Sequence, residues 1–262
     1  MPKGTPSMRN VLAIAEKELK AYFSSPMAYI VIGFWALLYG YFYVAILRFF
    51  LDSSLRAGQF GGPQAMNVNQ ILIRQLLQNV TILVLFIMPM ITARVYAEEK
   101  RSGTIELLLT SPLTDLQIIL GKFLGALLLY SVMLVVTLVH LGLLFLYGNP
   151  EWKPIVTAYL GLLLMGGSFI ALGLFISSLT KNQIIAGTVT FAVFLLLWII
   201  TWIGETGGST VSAVTNYLSI VNHYDDFSKG VIDTTHVIYY LSFITFSLFL
   251  TLKSVDSERW RG

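Results

Sequence analysis

The segment Glu98-Glu99-Lys100-Arg101-Ser102-Gly103-Thr104-Ile105-Glu106-Leu107-Leu108-Leu109-Thr110-Ser111-Pro112 decides how this chain is organised. It is the longest densely charged stretch between apolar runs, and a loop this short between two membrane-length segments must lie at a bilayer surface. Residues 104–110 predict two helical turns, because Gly103 or Thr104 can serve as the N-cap and Ser111 before Pro112 favours an end. We therefore expect a short helix at the membrane surface, suited to being pushed by a soluble partner.

The composition is that of a membrane protein. The chain has 262 residues, of which 56% are hydrophobic and 12% charged, whereas a soluble domain carries about 25% charged residues. We expect a single polytopic membrane domain over residues 1–262. The absence of cysteine excludes disulfides, thiolate metal sites and cysteine nucleophiles. The net charge of +3 is too small to favour a nucleic-acid partner, and the N-terminus does not resemble a signal peptide.

The apolar runs predict an all-α fold with six transmembrane helices. They lie at residues 27–51, 71–96, 116–147, 154–179, 183–203 and 235–253. A span of about 20 residues crosses a bilayer. We expect an exposed loop over residues 52–69 and an extracellular segment over residues 204–234, the latter with one or two short re-entrant or surface helices.

Local signals add detail inside these spans. Pro89 predicts a kink in the second span. Thr114 and Gln117 have the spacing of a capping box at the start of the third span. Gly121 and Gly125 form a small-xxx-small pair, which predicts that another helix approaches the third span closely. The glycines of the fourth span indicate a helix that is either tightly packed or flexible.

Residues 8–25 precede the first span and predict an amphipathic helix. Its apolar residues recur on one side at helical spacing, and Glu18 falls at the boundary between the two faces. The opposite side carries Arg9, Glu16, Lys17 and Lys20. This pattern is typical of a helix lying in the plane of the membrane interface, not of a span.

Basic residues orient the chain, because Lys and Arg are enriched in cytoplasmic loops. With the N-terminus inside, twelve basic residues are cytoplasmic and five are outside. The inner set is Lys3, Arg9, Lys17, Lys20, Arg94, Lys100, Arg101, Lys122, Lys181, Lys253, Arg259 and Arg261, and the outer set is Arg48, Arg56, Arg74, Lys153 and Lys229. Both termini and the charged central segment are therefore predicted to be cytoplasmic.

The sequence carries no recognisable catalytic motif. A phosphate-binding G-x-x-x-x-G-K-[ST] motif is missing, so the chain itself is not expected to bind ATP. His140 is predicted near the outer end of the third span, as a helix-packing or interfacial residue. The outer segment contains five residues that are either metal ligands or members of a solvated rim, namely His223, Asp225, Asp226, Asp233 and His236.

Four features together resemble the permease subunit of a type-2 ABC transporter, and in particular the gliding-motility-associated permease branch. They are the Glu16–Leu19 stretch of the amphipathic helix, the central Tyr96–Pro112 segment, the stretch His223–Asp233 and the tail Glu258–Trp260. The resemblance implies a non-catalytic bacterial inner-membrane subunit that pairs with a second permease, either another copy or a related chain. ATP and Mg would be bound by a separate ATPase partner.

The resemblance also implies a site. The loop between spans two and three would form a coupling helix, in which residues 101–110 contact a groove of the ATPase with the amphipathic helix beside it. Residues 98–100 would extend the second span below the membrane or pair with the ATPase. The candidate coupling residues are Glu98, Glu99, Lys100, Arg101, Ser102, Gly103, Thr104, Ile105, Glu106, Leu107, Leu108, Leu109 and Thr110, with Glu16, Lys17 and Lys20 of the amphipathic helix.

Two other classes of function remain open from the residues alone. A self-contained secondary carrier or channel would work without an ATPase. A membrane scaffold would use the central helix to bind a different soluble partner. Co-purification of a nucleotide-binding protein discriminates among these hypotheses.

Overall fold

The computed structural model describes residues 8–59, 67–106, 111–206 and 208–259, and within these ranges the regular structure is helical, with no strand. Ten helices are numbered here in chain order. They are α1 Met8–Phe23, α2 Pro26–Gln59, α3 Arg74–Thr92, α4 Arg94–Ser102, α5 Asp115–Tyr147, α6 Trp152–Ser178, α7 Gln183–Thr206, α8 Ser209–Leu218, α9 Asn222–Ser228 and α10 Thr234–Arg259. A π-helical turn, Asn69–Ile73, leads into α3.

Six helical segments of the described chain are long and apolar enough to cross a membrane, which confirms the predicted all-α fold with six spans. They are Pro26–Arg56, Asn69–Ser102, Asp115–Tyr147, Trp152–Ser178, Gln183–Ile200 and Thr234–Glu258. The helices outlast the predicted apolar runs: α2 continues to Gln59, so the predicted loop from residue 52 begins too early. Polar residues in the sequence show where a span leaves its apolar surroundings. The helix can continue past that point because its backbone hydrogen bonds are made within the helix.

The second span continues as a helix through Pro89 and is interrupted at Ala93, while the kink expected at Pro89 stays a prediction. Helix α3 ends at Thr92, Ala93 forms a turn, and the Ala93 N–H donates to the Pro89 carbonyl at 3.0 Å. The buried hydroxyl of Ser177, from α6, donates to the Ala93 carbonyl at 2.8 Å. Ser177 Oγ also accepts hydrogen bonds from the backbone N–H groups of Tyr96 and Ala97, each at 3.1 Å. A side chain inserted into the helical ladder thus compensates for the break.

Helix α6 is the central packing element, and its glycines show why. A Cβ on Gly161 would lie 2.6 Å from the Phe227 Cβ of α9. A Cβ on Gly166 would collide with the ring of Tyr130 in α5, and one on Gly173 with Thr92 of α3. Of the two alternatives for the fourth span, the observed one is therefore the tightly packed helix.

The Gly121 and Gly125 pair admits a neighbouring helix, as predicted, and that helix is α1. A Cβ on Gly121 would lie 2.5 Å from the Ile14 Cβ, and one on Gly125 would lie 2.7 Å from the Glu18 Cβ. The buried residues of α1 are Val11, Ile14, Ala15 and Tyr22. The amphipathic helix is therefore fixed to the first half of α5 by direct packing.

Caps and connections complete the fold. The capping box of α5 is confirmed: Thr114 Oγ1 accepts from the Gln117 N–H at 3.3 Å, and the Thr114 N–H donates to Gln117 Oε1 at 2.9 Å. Helix α7 extends to Thr206, three residues past its predicted end at 203. Two short helices, α8 and α9, then lie between the fifth and sixth spans, while their depth relative to a bilayer stays a prediction.

The contact between α1 and α5 generates a stability prediction. Gly121→Ala should lower the free energy of unfolding by about 1–3 kcal/mol, because the added methyl group overpacks against Ile14. Gly142→Ala, in the same helix with open space around the new Cβ, is the matched control and should be neutral or slightly stabilising. Thermal unfolding of both purified variants in detergent measures the difference. Equal midpoints would show that α1 does not pack on α5 as described.

Candidate functional site at the ion-paired end of the bundle

The predicted coupling segment begins as a helix and turns at a glycine. Helix α4 ends at Gly103, whose φ of 73° lies in the left-handed region that favours glycine. Gly103 therefore caps the end of α4, and it directly precedes the helical residues 104–106, where the sequence predicts the next helix to start. Residues 104–106 form a helical turn directly after it, and the Thr104 hydroxyl lies 2.9 Å from that of Ser102. Residues 107–110, the remainder of the predicted coupling helix, lie outside the described residues.

The candidate coupling residues divide into an exposed and an internal set. The exposed ones are Glu98, Arg101, Ser102, Gly103, Thr104 and Glu106, with Glu16, Lys17 and Lys20 on α1. Ile105 and Lys100 are buried, and Glu99 is half-buried. The first set can contact a soluble partner as it stands, whereas the second set holds the segment onto the bundle.

Lys122 is the centre of the internal set. Its side chain is 1% exposed, and its Nζ lies 2.6 Å from Glu99 Oε1 and 3.1 Å from Glu18 Oε1. The same ammonium group donates to the Val95 carbonyl at 3.4 Å. Glu18 therefore lies on the buried side of α1, and not at the boundary of its two faces, because it is one of the two carboxylates that neutralise this lysine. The cluster joins α1, α4 and α5.

Lys100 makes a second buried ion pair beside the first. Its side chain is 3% exposed, and its Nζ lies 2.6 Å from Glu258 Oε1 near the end of α10. It also donates to the Ser178 carbonyl, the last residue of α6, at 2.5 Å. This carbonyl has no partner within its own helix because it lies at the C-terminus. The lysine therefore neutralises the Glu258 carboxylate and also donates a hydrogen bond to a helix-terminal carbonyl.

We call this region the ion-paired end, defined by Lys122 with Glu18 and Glu99 and by Lys100 with Glu258. It connects α1, α4, α5, α6 and α10 through charges that are largely removed from water. A cation at these positions without its carboxylates would be strongly unfavourable, because desolvation of a charge costs several kcal/mol. The exposed face of α4 and the turn at residues 104–106 are therefore anchored to the bundle by these ion pairs.

The opposite end of the bundle carries a second polar network. Arg74, at the start of α3, pairs with Asp225 of α9 at 2.7 Å, and Gln78 donates to the same carboxylate oxygen at 3.0 Å. Asp225 also pairs with Lys229 at 2.6 Å. His223 is only 5% exposed, so the solvated-rim alternative is wrong for this residue. In the described parts of the chain, no group of three or more His, Asp or Glu side chains is arranged to hold a metal ion.

His140 is a packing residue. Its ring lies between those of Tyr39 and Tyr43, with centroids 5.3 and 5.2 Å away. Its Nε2 is the atom that a Cβ on Gly40 would meet, at 3.3 Å. The histidine therefore joins α5 to α2, in agreement with the predicted role in helix packing.

The family comparison agrees with this architecture. A family model described as "ABC-2 family transporter protein" matches residues 59–228, which include α3 to α9 and most of both polar networks. The chain belongs to this ABC-2 transporter family. It is accordingly a multi-pass membrane permease subunit of an ABC transporter, and membership implies pairing with an ABC ATPase. The gliding-motility branch stays a prediction, and a search of curated proteins finds no match to the chain.

Sequence reasoning on this ABC-2 permease missed three residues that hold the site together. In the sequence, Lys122 contributes only to the bias of basic residues, Glu258 belongs to the charged tail, and nothing distinguishes Ser177. A signal was present for Lys122, since a lysine two helical turns into an apolar span needs carboxylate partners. Which carboxylates these are depends on how the helices are arranged, and spacing along the chain does not show it.

Removing the central lysine tests the cluster. Lys122→Met should lower the free energy of unfolding by about 3–5 kcal/mol, because it leaves two partly buried carboxylates side by side without a cation. The triple variant Glu18→Gln, Glu99→Gln, Lys122→Met should recover most of this loss, since no uncompensated charge remains. Lys20→Met, which breaks only the exposed pair with Glu16, is the control and should change little.

Unfolding of the four proteins in the same detergent is followed by circular dichroism. Recovery in the triple variant distinguishes loss of charge compensation from loss of packing by the lysine stem. If the single and triple variants are equally destabilised, the ion pairs do not stabilise the described arrangement.

Proposed function

We propose that this chain is the non-catalytic permease subunit that converts movements of a separate ABC ATPase into alternating conformations across the bacterial inner membrane. ATP and Mg would be bound by the ATPase alone. The observation that carries the proposal is the exposed surface of α4 and the turn at residues 104–106, mounted on the ion-paired end. Closure of an ATPase is a rigid-body movement, and a stiff attachment is needed to transmit it.

The coupling surface would consist of the exposed residues Glu98, Arg101, Thr104 and Glu106, together with residues 107–110 and the exposed face of α1. The internal residues Glu99 and Lys100 would act indirectly, by holding α4 against α5, α6 and α10. This division favours the first of the two roles expected for residues 98–100, a continuation of the second span beyond the membrane.

The α3–α4 segment offers a route from this surface to the other end of the bundle. Arg74 at its start is bonded to Asp225 of α9, and Lys100 near its end is bonded to Glu258. The break at Ala93 lies between them and is held by the Ser177 hydroxyl. A displacement of α4 would therefore reach α9 through one helical unit with a single defined joint.

A second permease subunit would complete the transporter. The first, fifth and sixth spans are the least buried within this chain, with 28%, 17% and 17% of their most apolar stretches covered. These faces suit a partner helix or lipid, and the two permease subunits would associate through the first and fifth spans or nearby faces. The second permease subunit would be another copy of this chain or a related chain. The transporter would use the ATPase movements either for export or to transmit force. On the basic-residue bias, both termini and the ion-paired end would be cytoplasmic.

Co-purification tests the coupling surface. The tagged chain, isolated in mild detergent from its native membrane, should elute with an ATPase. Arg101→Glu should lower the amount of this ATPase about tenfold, which corresponds to about 1.4 kcal/mol of binding free energy. Lys153→Glu, an equal charge reversal at an exposed residue near the start of α6, should leave it unchanged.

The possible outcomes test the coupling surface and the permease function separately. Equal ATPase recovery with wild type and Arg101→Glu would contradict the coupling surface while leaving the permease role intact. If no ATPase accompanies a folded wild-type protein, the ABC proposal fails, and a self-contained carrier, a channel or a membrane scaffold becomes the better account.

A further inference from the structure

Two of the three histidines in the chain meet at the end opposite the ion-paired end. His223 of α9 and His236 in the first turn of α10 place their Nδ1 atoms 2.7 Å apart. The other nitrogen of His223, Nε2, lies 2.9 Å from the Tyr217 carbonyl oxygen, and that of His236 lies 3.0 Å from Asp226 Oδ2. The four groups form one continuous hydrogen-bonded chain.

The positions of the protons in this chain follow from the chemistry of its ends. A carbonyl oxygen only accepts, so Nε2 of His223 must carry a proton and donate to Tyr217. A neutral histidine has one ring proton, which makes Nδ1 of His223 an acceptor. The short contact to His236 is then a hydrogen bond only if Nδ1 of His236 carries the proton.

The second end of the chain places another proton on His236. Asp226 accepts hydrogen bonds from His236 and Lys229, and both interactions lower the pKa of its carboxyl group, so it is ionised and only accepts. Nε2 of His236 must therefore donate as well. Burial lowers the pKa of His223, which favours its neutral form. The contacts are satisfied together when the two histidines share three ring protons, and the burial of His223 and the contact of His236 with Asp226 favour placing the imidazolium on His236.

We propose that His223, His236 and Asp226 form a proton-binding site that clamps α8, α9 and α10 together when His236 carries the additional proton. Without that proton His236 has one donor for two acceptors. Either the contact to His223 or the contact to Asp226 then brings two lone pairs together, and one of them must open. The range from pH 5 to pH 8, in which histidines change charge, is the range in which the clamp would respond.

The charges around the site agree with a state in which His236 carries the additional proton. Lys229 pairs with Asp226 and Asp225, and Asp225 pairs with Arg74 of α3. Asp233, just before α10, is exposed and accepts the Thr235 N–H. Three carboxylates face two permanent cations, so the imidazolium makes the cluster neutral. The remaining titratable neighbours are the phenols of Tyr217, Tyr239 and Tyr240.

The clamp acts on a defined piece of backbone, the link between α8 and α9. His223 holds the Tyr217 carbonyl, the Tyr239 hydroxyl donates to the Leu218 carbonyl at 2.9 Å, and the Tyr240 hydroxyl donates to the Ile220 carbonyl at 2.7 Å. The ring of Tyr239 also stacks on His223 with centroids 3.7 Å apart. Opening of the contact between His223 and His236 would detach His223, which holds this link, from α10, independently of any ATPase.

Histidine NMR on the full-length protein tests the site directly. The protein is labelled with ¹⁵N-histidine and held in detergent micelles, and its three histidines are assigned with His140→Gln, His223→Gln and His236→Gln. In wild type, the pair His223 and His236 should carry three ring protons at low pH and two at high pH. His223 should remain the neutral Nε2–H tautomer below that transition.

Asp226→Asn is the discriminating variant. An amide can donate to a neutral His236 Nε2, so the second proton is no longer required, and the doubly protonated signal should be lost at pH values where wild type retains it. Asp233→Asn removes a nearby charge but keeps an acceptor for Thr235. It is the matched control and should retain that signal.

Hydrogen exchange supplies the conformational readout. Amides of residues 217–222 should exchange faster in wild type at high pH than at low pH, after correction for intrinsic rates, and this difference should vanish in Asp226→Asn. A wild-type His236 that is singly protonated throughout, or an Asp226→Asn protein that behaves like Asp233→Asn, would overturn the proposal.

Discussion

The buried ammonium group of Lys122 is the constraint on which the ion-paired end depends. A lysine that is 1% exposed must be neutralised, and the two carboxylates that do so come from separate elements, Glu18 of α1 and Glu99 of α4. Satisfying one charge therefore fixes an amphipathic helix, the end of the second span and the start of the third relative to one another. The close approach at Gly121 makes this possible, because a side chain there would push α1 away.

The same logic applies along the second span. The helix breaks at Ala93, and in an apolar environment the backbone groups freed there need other partners. The Ser177 hydroxyl supplies them to Ala93, Tyr96 and Ala97, so the joint is hydrogen-bonded and built into the core. In the proposed function the membrane domain transmits movement, and a joint of this kind would allow a change of direction without leaving unsatisfied polar groups.

Much of the fold could be predicted from the sequence, because spans must satisfy their backbone internally and are therefore long, apolar and helical. The capping box at Thr114 and the small pair at Gly121 were also readable, since both depend on residues one turn apart. The ends of the helices could not be predicted from the sequence, because α2 and α4 continue into polar sequence. The pairs Lys122–Glu18 and Lys100–Glu258 depend on the arrangement of distant helices. The sequence places His223 and His236 in one polar group, but the number of protons they share follows only from the distances between their ring nitrogens.

The central claim is that α1 and α4 move as one body when the ATPase acts. Because the chain has no native cysteine, spin labels at Lys17→Cys and Glu98→Cys can report the distance between the exposed faces of these helices. Pulsed electron paramagnetic resonance on the permease–ATPase complex would compare the nucleotide-free state with an ATP-trapped state. The account predicts one narrow distance distribution that is the same in both states. A distribution that shifts by several ångströms or splits on ATP binding would contradict it.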